Sequence, residues 1–136
     1  MTYGMIATWR MACDGITAAT KDLAKGGKAQ QAIVEAIKMV EDYPFYKSVG
    51  YGGLPNEVGM VELDAAFMNG DNFDIGAVAG SRGVKNPIAV AERLSHERFN
   101  SFIVGDGVTK YAIKEGFEMQ NMLTDRAKKT WLRGEA

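Results

Sequence analysis

His96 is the only histidine and Cys13 the only cysteine in the 136 residues. A Ser-His-Asp centre needs a histidine held between a serine and a buried carboxylate. His96 lies instead in Ser95-His96-Glu97-Arg98, near an expected helix C-terminus where a cation is favourable, and reads as a surface residue. HExxH and facial-triad sites need two histidines, and zinc sites built on several thiolates need more than one cysteine. A single thiol also excludes an intrachain disulfide. An enzyme made from this chain therefore needs another nucleophile or a catalyst supplied from elsewhere.

Other residues invite chemistry less directly. Asp64, Asp71 and Asp74 hint at a divalent-cation cluster, but their spacing misses the EF-hand order, and Asp71 and Asp74 suit the solvated end of a hairpin. Asp64 stands between apolar neighbours in an expected strand, so it should be at least half-buried and hydrogen-bonded. Gly105-Asp106-Gly107 lacks the Gly-Lys-Ser/Thr ending of a phosphate loop and reads as a plain strand-to-helix turn. Trp9 follows an apolar stretch directly and suits either a core or the mouth of a site. The run Ser48-Val49-Gly50-Tyr51-Gly52-Gly53-Leu54-Pro55-Asn56-Glu57 is the most eccentric of the chain. Its glycines describe a conformation few other residues adopt, and rigidly held loops of this kind often carry function.

These residues must be positioned by a scaffold that the composition describes. The chain is 46% hydrophobic and 24% charged, as a folded domain is. Sixteen Lys and Arg against seventeen Asp and Glu leave no basic excess for a nucleic-acid backbone. No apolar run approaches the roughly 20 residues that span a bilayer, and no signal peptide is visible, so a cytoplasmic location is expected. With no repeat or linker, residues 1–136 read as a single unit. Residues 3–8 are apolar enough for a buried strand. Met11, Ala12, Ile16, Ala19 and Leu23 predict a helix stopped at Gly26-Gly27, and Ala32, Ile33, Ala36, Ile37 and Val40 a second over residues 29–40.

The middle of the chain changes period. Residues 60–68 alternate as a strand, Asn69-Gly70-Asp71 supplies a hairpin turn, and residues 75–79 return. The small side chains of Ile75-Gly76-Ala77-Val78-Ala79-Gly80 predict a strand covered on both faces, with something packed unusually close. Asn86-Pro87 should cap and open a helix. A buried strand over residues 102–104, a helix over 108–114 and a last helix capped at Thr124 or Asp125 complete the pattern. The elements amount to an α+β fold in α, β, α layers around a largely antiparallel sheet, with more two-sided burial than the chain can provide by itself.

Five segments carry a resemblance. Thr8-Trp9 after an apolar stretch, Ser48-Val49-Gly50-Tyr51-Gly52-Gly53 with Pro55-Asn56-Glu57, Glu62-Leu63-Asp64-Ala65, Gly76-Ala77-Val78-Ala79-Gly80 and Lys85-Asn86-Pro87-Ile88 follow in this order. In sequence and spacing the chain resembles the alpha subunit of glycosylasparaginases, N-terminal-nucleophile hydrolases related to plant-type asparaginases and isoaspartyl peptidases. The resemblance runs from residue 6 to 125. It implies half of a four-layer αββα sandwich, completed by a beta subunit. In the family a precursor cuts itself, and the beta subunit begins with the exposed threonine nucleophile. Nothing in the chain resembles the segment around that threonine, and Gly134-Glu135-Ala136 departs from the His-Asp that precedes the family's cleavage point.

The resemblance implies a mechanism without histidine, because an N-terminal threonine uses its own α-amino group as base. No catalytic residue, metal ligand or cofactor is expected in this chain. Trp9 and Ser48 are expected to touch the substrate, and Gly50, Gly52, Gly53 and Asp64 to shape the site. Glycosylasparaginases continue Thr-Trp with Pro-Phe, whereas Arg10 and Met11 follow here, which changes the leaving-group side. Isoaspartyl relatives bind sodium through backbone carbonyls in the stretch matching residues 40–49; the spacing differs here, and no sodium is assigned. The expected partners are a threonine-bearing beta subunit, a second αβ pair and a small asparagine-derived substrate. Two alternatives stand beside glycosylasparagine hydrolysis: isoaspartyl peptidase or L-asparaginase activity, and a freestanding, non-catalytic binding module.

Overall fold

A computed structural model describes residues 2–134; Met1, Glu135 and Ala136 lie outside the described residues. After a 3₁₀ turn over Arg10–Ala12 come helix α1 (Cys13–Ala24) and helix α2 (Ala29–Asp42). Strands β1 (Leu63–Met68) and β2 (Ile75–Ser81) precede helix α3 (Pro87–Ser95). Strand β3 (Phe102–Val104) and helices α4 (Asp106–Lys114) and α5 (Asp125–Leu132) follow. Gly26, at φ 89°, adopts the left-handed conformation that stops α1, and the Thr124 hydroxyl accepts from the Ala127 N–H to start α5, both as the sequence predicts.

The sheet runs in the order β1-β2-β3, with β1 and β2 antiparallel and β2 and β3 parallel. The parallel step comes from α3, which carries the chain from the end of β2 back to the start of β3. A bulge interrupts the hairpin: Leu63 pairs with Ser81 but Ala65 with Val78. Gly80 takes the positive φ of 60° that the extra residue requires, and its N–H donates to Asp64 Oδ1 at 2.7 Å. Asp64 is thus hydrogen-bonded as expected, but exposed and not buried. Its carboxylate replaces the ladder partner that the bulge removes.

One face of this sheet is packed. Phe67, Val78, Ile88, Val90, Leu94, Val108 and Ala112 form a continuous core that Val34 joins from α2. Gly76 fits closely under α3; a Cβ there would run into the Ala91 carbonyl. The predicted close approach on β2 is therefore present, on one side only. On the other side Met68, Ile75, Phe102 and Val104 are 51%, 49%, 63% and 56% exposed. Residues 75–80 are covered on one face only, and the expected burial of residues 102–104 holds in part for Ile103 but not for Phe102 and Val104, because every described helix that joins the core packs on the same face. The second cover expected for β2 does not come from the described residues. The layers are helix and sheet, with no third layer from the described residues.

Two further corrections concern the ends of elements. Residues 3–8 form no strand: they join no described sheet, and Ile6 is 94% exposed. Of their apolar side chains only Met5 packs, partly buried against the cluster of Ala19, Leu23, Ala32 and Ala36, while Tyr3 and Ile6 stay exposed. In α2 the buried set is Ala32, Val34, Ala36, Val40 and Glu41, while Ile33 turns outward. The stripe is broader than predicted because α2 packs between two neighbours. Ala32 and Ala36 meet Ala19 and Leu23 of α1, and Val34 faces the main core. Asn86 does precede α3, but its side chain does not cap it. The Glu41 carboxylate of α2 takes that role, accepting from the Ile88 N–H at 3.0 Å.

Candidate functional site

Trp9 stands just before the 3₁₀ turn and exposes 70% of its surface. With Arg10, Met11, Cys13, Asp14 and Tyr46 it lines an open cleft of about 570 Å³. The turn places these side chains because α1 opens directly after it, so the first helical turn forms one wall. Tyr46 forms the other. Its hydroxyl donates to the Met11 carbonyl at 3.4 Å, and its ring packs on Tyr43, with centroids 4.7 Å apart. An indole and a phenol beside a cation and a carboxylate make a cleft fitted to a small polar ligand with an apolar part.

Tyr46 also connects this cleft to the glycine-rich loop. Ser48 lies two residues further on and is exposed. The loop around it is held by main-chain bonds: Leu54 N–H to the Lys47 carbonyl at 2.8 Å, Gly53 N–H to Gly50 at 3.1 Å, and Tyr51 N–H to Glu41 at 2.7 Å. Gly50 and Gly52 adopt φ of 60° and 83°, and a Cβ on either would collide with backbone, of Glu41 and of Pro44 respectively. These two glycines are required by space as well as by conformation. Gly53 has an ordinary φ and is buried against the Gly50 carbonyl. A bond from Gly52 N–H to the Met122 carbonyl at 2.9 Å and one from Arg126 Nη2 to Pro44 at 2.9 Å fix the loop from the α5 side.

Tyr46, two residues before Ser48, lines the Trp9 cleft while Ser48 itself does not, and sequence reasoning missed Tyr46. Its signal is the Tyr43-Pro44-Phe45-Tyr46 run, which ends α2 with more aromatic surface than a simple turn needs. Asp64 is elsewhere, on the open side of the sheet at the bulge. The other aspartates serve the hairpin: Asp71 accepts from Gln30 Nε2 at 3.0 Å and Asp74 from Asn72 Nδ2 at 2.6 Å. Among the described residues no group of three or more His, Cys, Asp or Glu could hold a metal ion. His96 is exposed beside Glu92 at 2.9 Å, and Gly105 makes an ordinary turn bonded to the Ala79 carbonyl at 2.8 Å. A second open groove, about 670 Å³, is lined by Met60, Arg82, Asp106, Lys110, Met119 and Gln120. Arg82 is already engaged there, paired to Glu62, and Thr109 donates to the Arg82 carbonyl. No helix among the described residues is long and apolar enough to cross a membrane.

Comparison with known proteins gives this arrangement a context. The family model described as Asparaginase matches residues 6–136. An N(4)-(β-N-acetylglucosaminyl)-L-asparaginase of Elizabethkingia miricola is 40% identical over 127 residues, 93% of this chain and 37% of the relative. A plant-type L-asparaginase of Thermococcus kodakarensis is 41% identical over 107 residues, 79% of this chain and 35% of the relative. A putative N(4)-(β-N-acetylglucosaminyl)-L-asparaginase of Drosophila erecta is 36% identical over 135 residues, 97% of this chain and 34% of the relative. The chain spans little more than a third of the length of these curated relatives. With the family model matching almost its whole length, the chain belongs to the asparaginase family that takes in both glycosylasparaginases and plant-type asparaginases.

Proposed function

We propose that this chain is the alpha part of an amidohydrolase that cleaves the side-chain amide of glycosylated asparagine. The observation that carries the reading is the bare sheet face of Met68, Ile75, Phe102 and Val104 in a chain that covers about a third of its relatives. That face is the inner surface of one half of an αββα sandwich, and a threonine-bearing beta subunit cut from the same precursor covers it. Residues 1–136 act as one unit in this assembly, and αβ pairs associate again. Trp9 and Ser48 line the substrate side of the pocket, and Gly50, Gly52 and Gly53 give the Ser48 loop its shape. Asp64 supports the pocket indirectly by fixing the bulge.

In this reading the N-terminal threonine hydroxyl attacks the amide carbonyl of the asparagine side chain while its α-amino group takes the proton. The tetrahedral intermediate collapses to a β-aspartyl ester, the glycosylamine leaves with the transferred proton, and water hydrolyses the ester. Oxyanion donors come from the beta subunit. This chain supplies binding and orientation. Arg10 and Met11 border Trp9 in the cleft, so the leaving group meets a cation and a thioether there.

Assays of the assembled protein on a glycosylasparagine and on a β-aspartyl dipeptide test the choice of substrate. Hydrolysis of the glycosylasparagine is expected; cleavage of the dipeptide alone assigns isoaspartyl peptidase activity instead.

A further inference from the structure

Glu41 is a buried carboxylate that the hydrolysis does not use. Only 4% of the residue is exposed. Its Oε1 accepts from the Ile88 N–H at 3.0 Å and its Oε2 from Asn86 Nδ2 at 3.2 Å. Its own carbonyl accepts from the Tyr51 N–H at 2.7 Å, and Gly50 lies so near its backbone that a Cβ would collide. One residue therefore touches three segments: the end of α2, the loop that carries Ser48, and the first turn of α3. That loop is closed on itself across Ser48 by the bond between Leu54 and Lys47, and the turn beyond it by the bond between Gly53 and Gly50. Its place relative to the scaffold follows from where it is tied, and not from its own flexibility.

The scaffold end of this connection is rigid. Ile88, Val90, Ala91 and Leu94 of α3 are at most 2% exposed, and α3 seats directly on Gly76 of the sheet. A buried carboxylate is costly unless its oxygens are satisfied. Both oxygens of Glu41 are satisfied by donors at the start of α3, where the helix dipole also favours an anion. A leucine at this position would pack more cheaply but could hold neither donor. The charge is placed where it links two elements.

We propose that Glu41 is a positioning residue: by bonding to the first turn of α3 it fixes the Ser48 loop and so sets how tightly the substrate is held. This rests on the amidohydrolase reading, with Ser48 on the substrate side. The charged groups that act on Glu41 are Asp42 and Lys38, both on α2; α3 and its approach contribute the Ile88 N–H and the neutral Asn86 amide. Burial pushes the carboxyl up to about 7, against the two bonds that favour its ionised form. The ionised group accepts both bonds fully, whereas protonation weakens one. Substrate binding should therefore loosen as pH falls through about 7.

The test compares the complete enzyme, wild type and Glu41→Gln, in hydrolysis of the side-chain amide of a glycosylasparagine across pH. The introduced amide turns an N–H toward the Asn86 donor and cannot titrate. At high pH the KM of this variant is expected to rise about tenfold with kcat within about twofold, the loss of a charge-assisted bond expressed in binding. The inflection of KM near pH 7 expected of wild type should vanish, while that of the threonine amine persists in kcat. Asn86→Ala, which leaves the Ile88 bond intact and also removes the bond from Asn86 Nδ2 to Asp42 Oδ1 at 2.9 Å, covers failure of the first variant to assemble. Its KM should rise about threefold, with the inflection moved to higher pH because a bond favouring the anion is gone. Wild-type KM and an unmoved inflection in the variant that assembles overturn the role of Glu41. Wild-type protein that hydrolyses no asparagine side-chain amide overturns the functional reading, and this inference with it.

Discussion

Trp9 presents most of a large apolar ring to solvent, an arrangement that costs free energy until something covers it. Because the ring makes little core, removing it should scarcely change stability, within about 0.5 kcal/mol. Trp9→Ala is instead expected to lower kcat/KM of the assembled enzyme by about tenfold or more, measured with a glycosylasparagine; unchanged kinetics would remove Trp9 from the site. Glu41 gives the opposite kind of prediction. Its unfolded carboxyl loses its proton near 4.5, but the native one keeps it up to about 7. Between those values the native state binds more protons, so stability falls as pH rises through the window, by about 3 kcal/mol at about 1.4 kcal/mol per pH unit. Thermal unfolding of wild type and Glu41→Gln at pH 5 and pH 8 checks the sign: the balance should move toward the variant at pH 8. At this scale the sequence is only partly legible. The glycine pattern points to the Ser48 loop, but nothing local marks Glu41, at the end of an amphipathic helix, as buried. Its burial depends on α3, which lies more than forty residues further along the chain and has no local signal there.

At the scale of elements, helices and hairpin follow from periodicity and punctuation. Gly26 stops α1, Thr124 starts α5, and the small residues of β2 announce a close neighbour. That neighbour is α3, and Gly76 measures how close. Gly76→Ala puts a methyl group against the Ala91 carbonyl and is expected to destabilise the protein by about 1–3 kcal/mol, the range for overpacking. A fall in unfolding midpoint checks it; an unchanged midpoint would mean that α3 moves away without cost. What periodicity could not give is the direction of burial. Residues 3–8 and 102–104 have strand-like composition and are apolar enough for a core, yet beyond the partly buried Met5 and Ile103 their large apolar side chains are exposed. An apolar strand reports that it expects cover, and not which polypeptide provides it. The bulge at Gly80 was hidden for a related reason: it restores Ser81 to the packed face by a one-residue offset that a simple alternation overlooks.

At the scale of the whole molecule the two sides of the sheet differ sharply. One carries a close-packed core, and the other lays Met68, Ile75, Phe102 and Val104 side by side in water. A monomeric surface rarely leaves so many large apolar side chains adjacent, and relatives nearly three times as long have the chain to cover them. The histidine-poor composition fits the proposed assembly, in which the nucleophile and its base arrive together on a second polypeptide. The proposed assembly uses this face as its interface, and Phe102→Glu tests it directly. The side chain is 63% exposed, so the charge leaves the fold of this chain intact. Co-expressed with the remaining polypeptide and analysed by light scattering, wild type is predicted to form the complex and Phe102→Glu to stay apart with an unchanged circular dichroism spectrum. Assembly of the variant as readily as wild type would contradict the account.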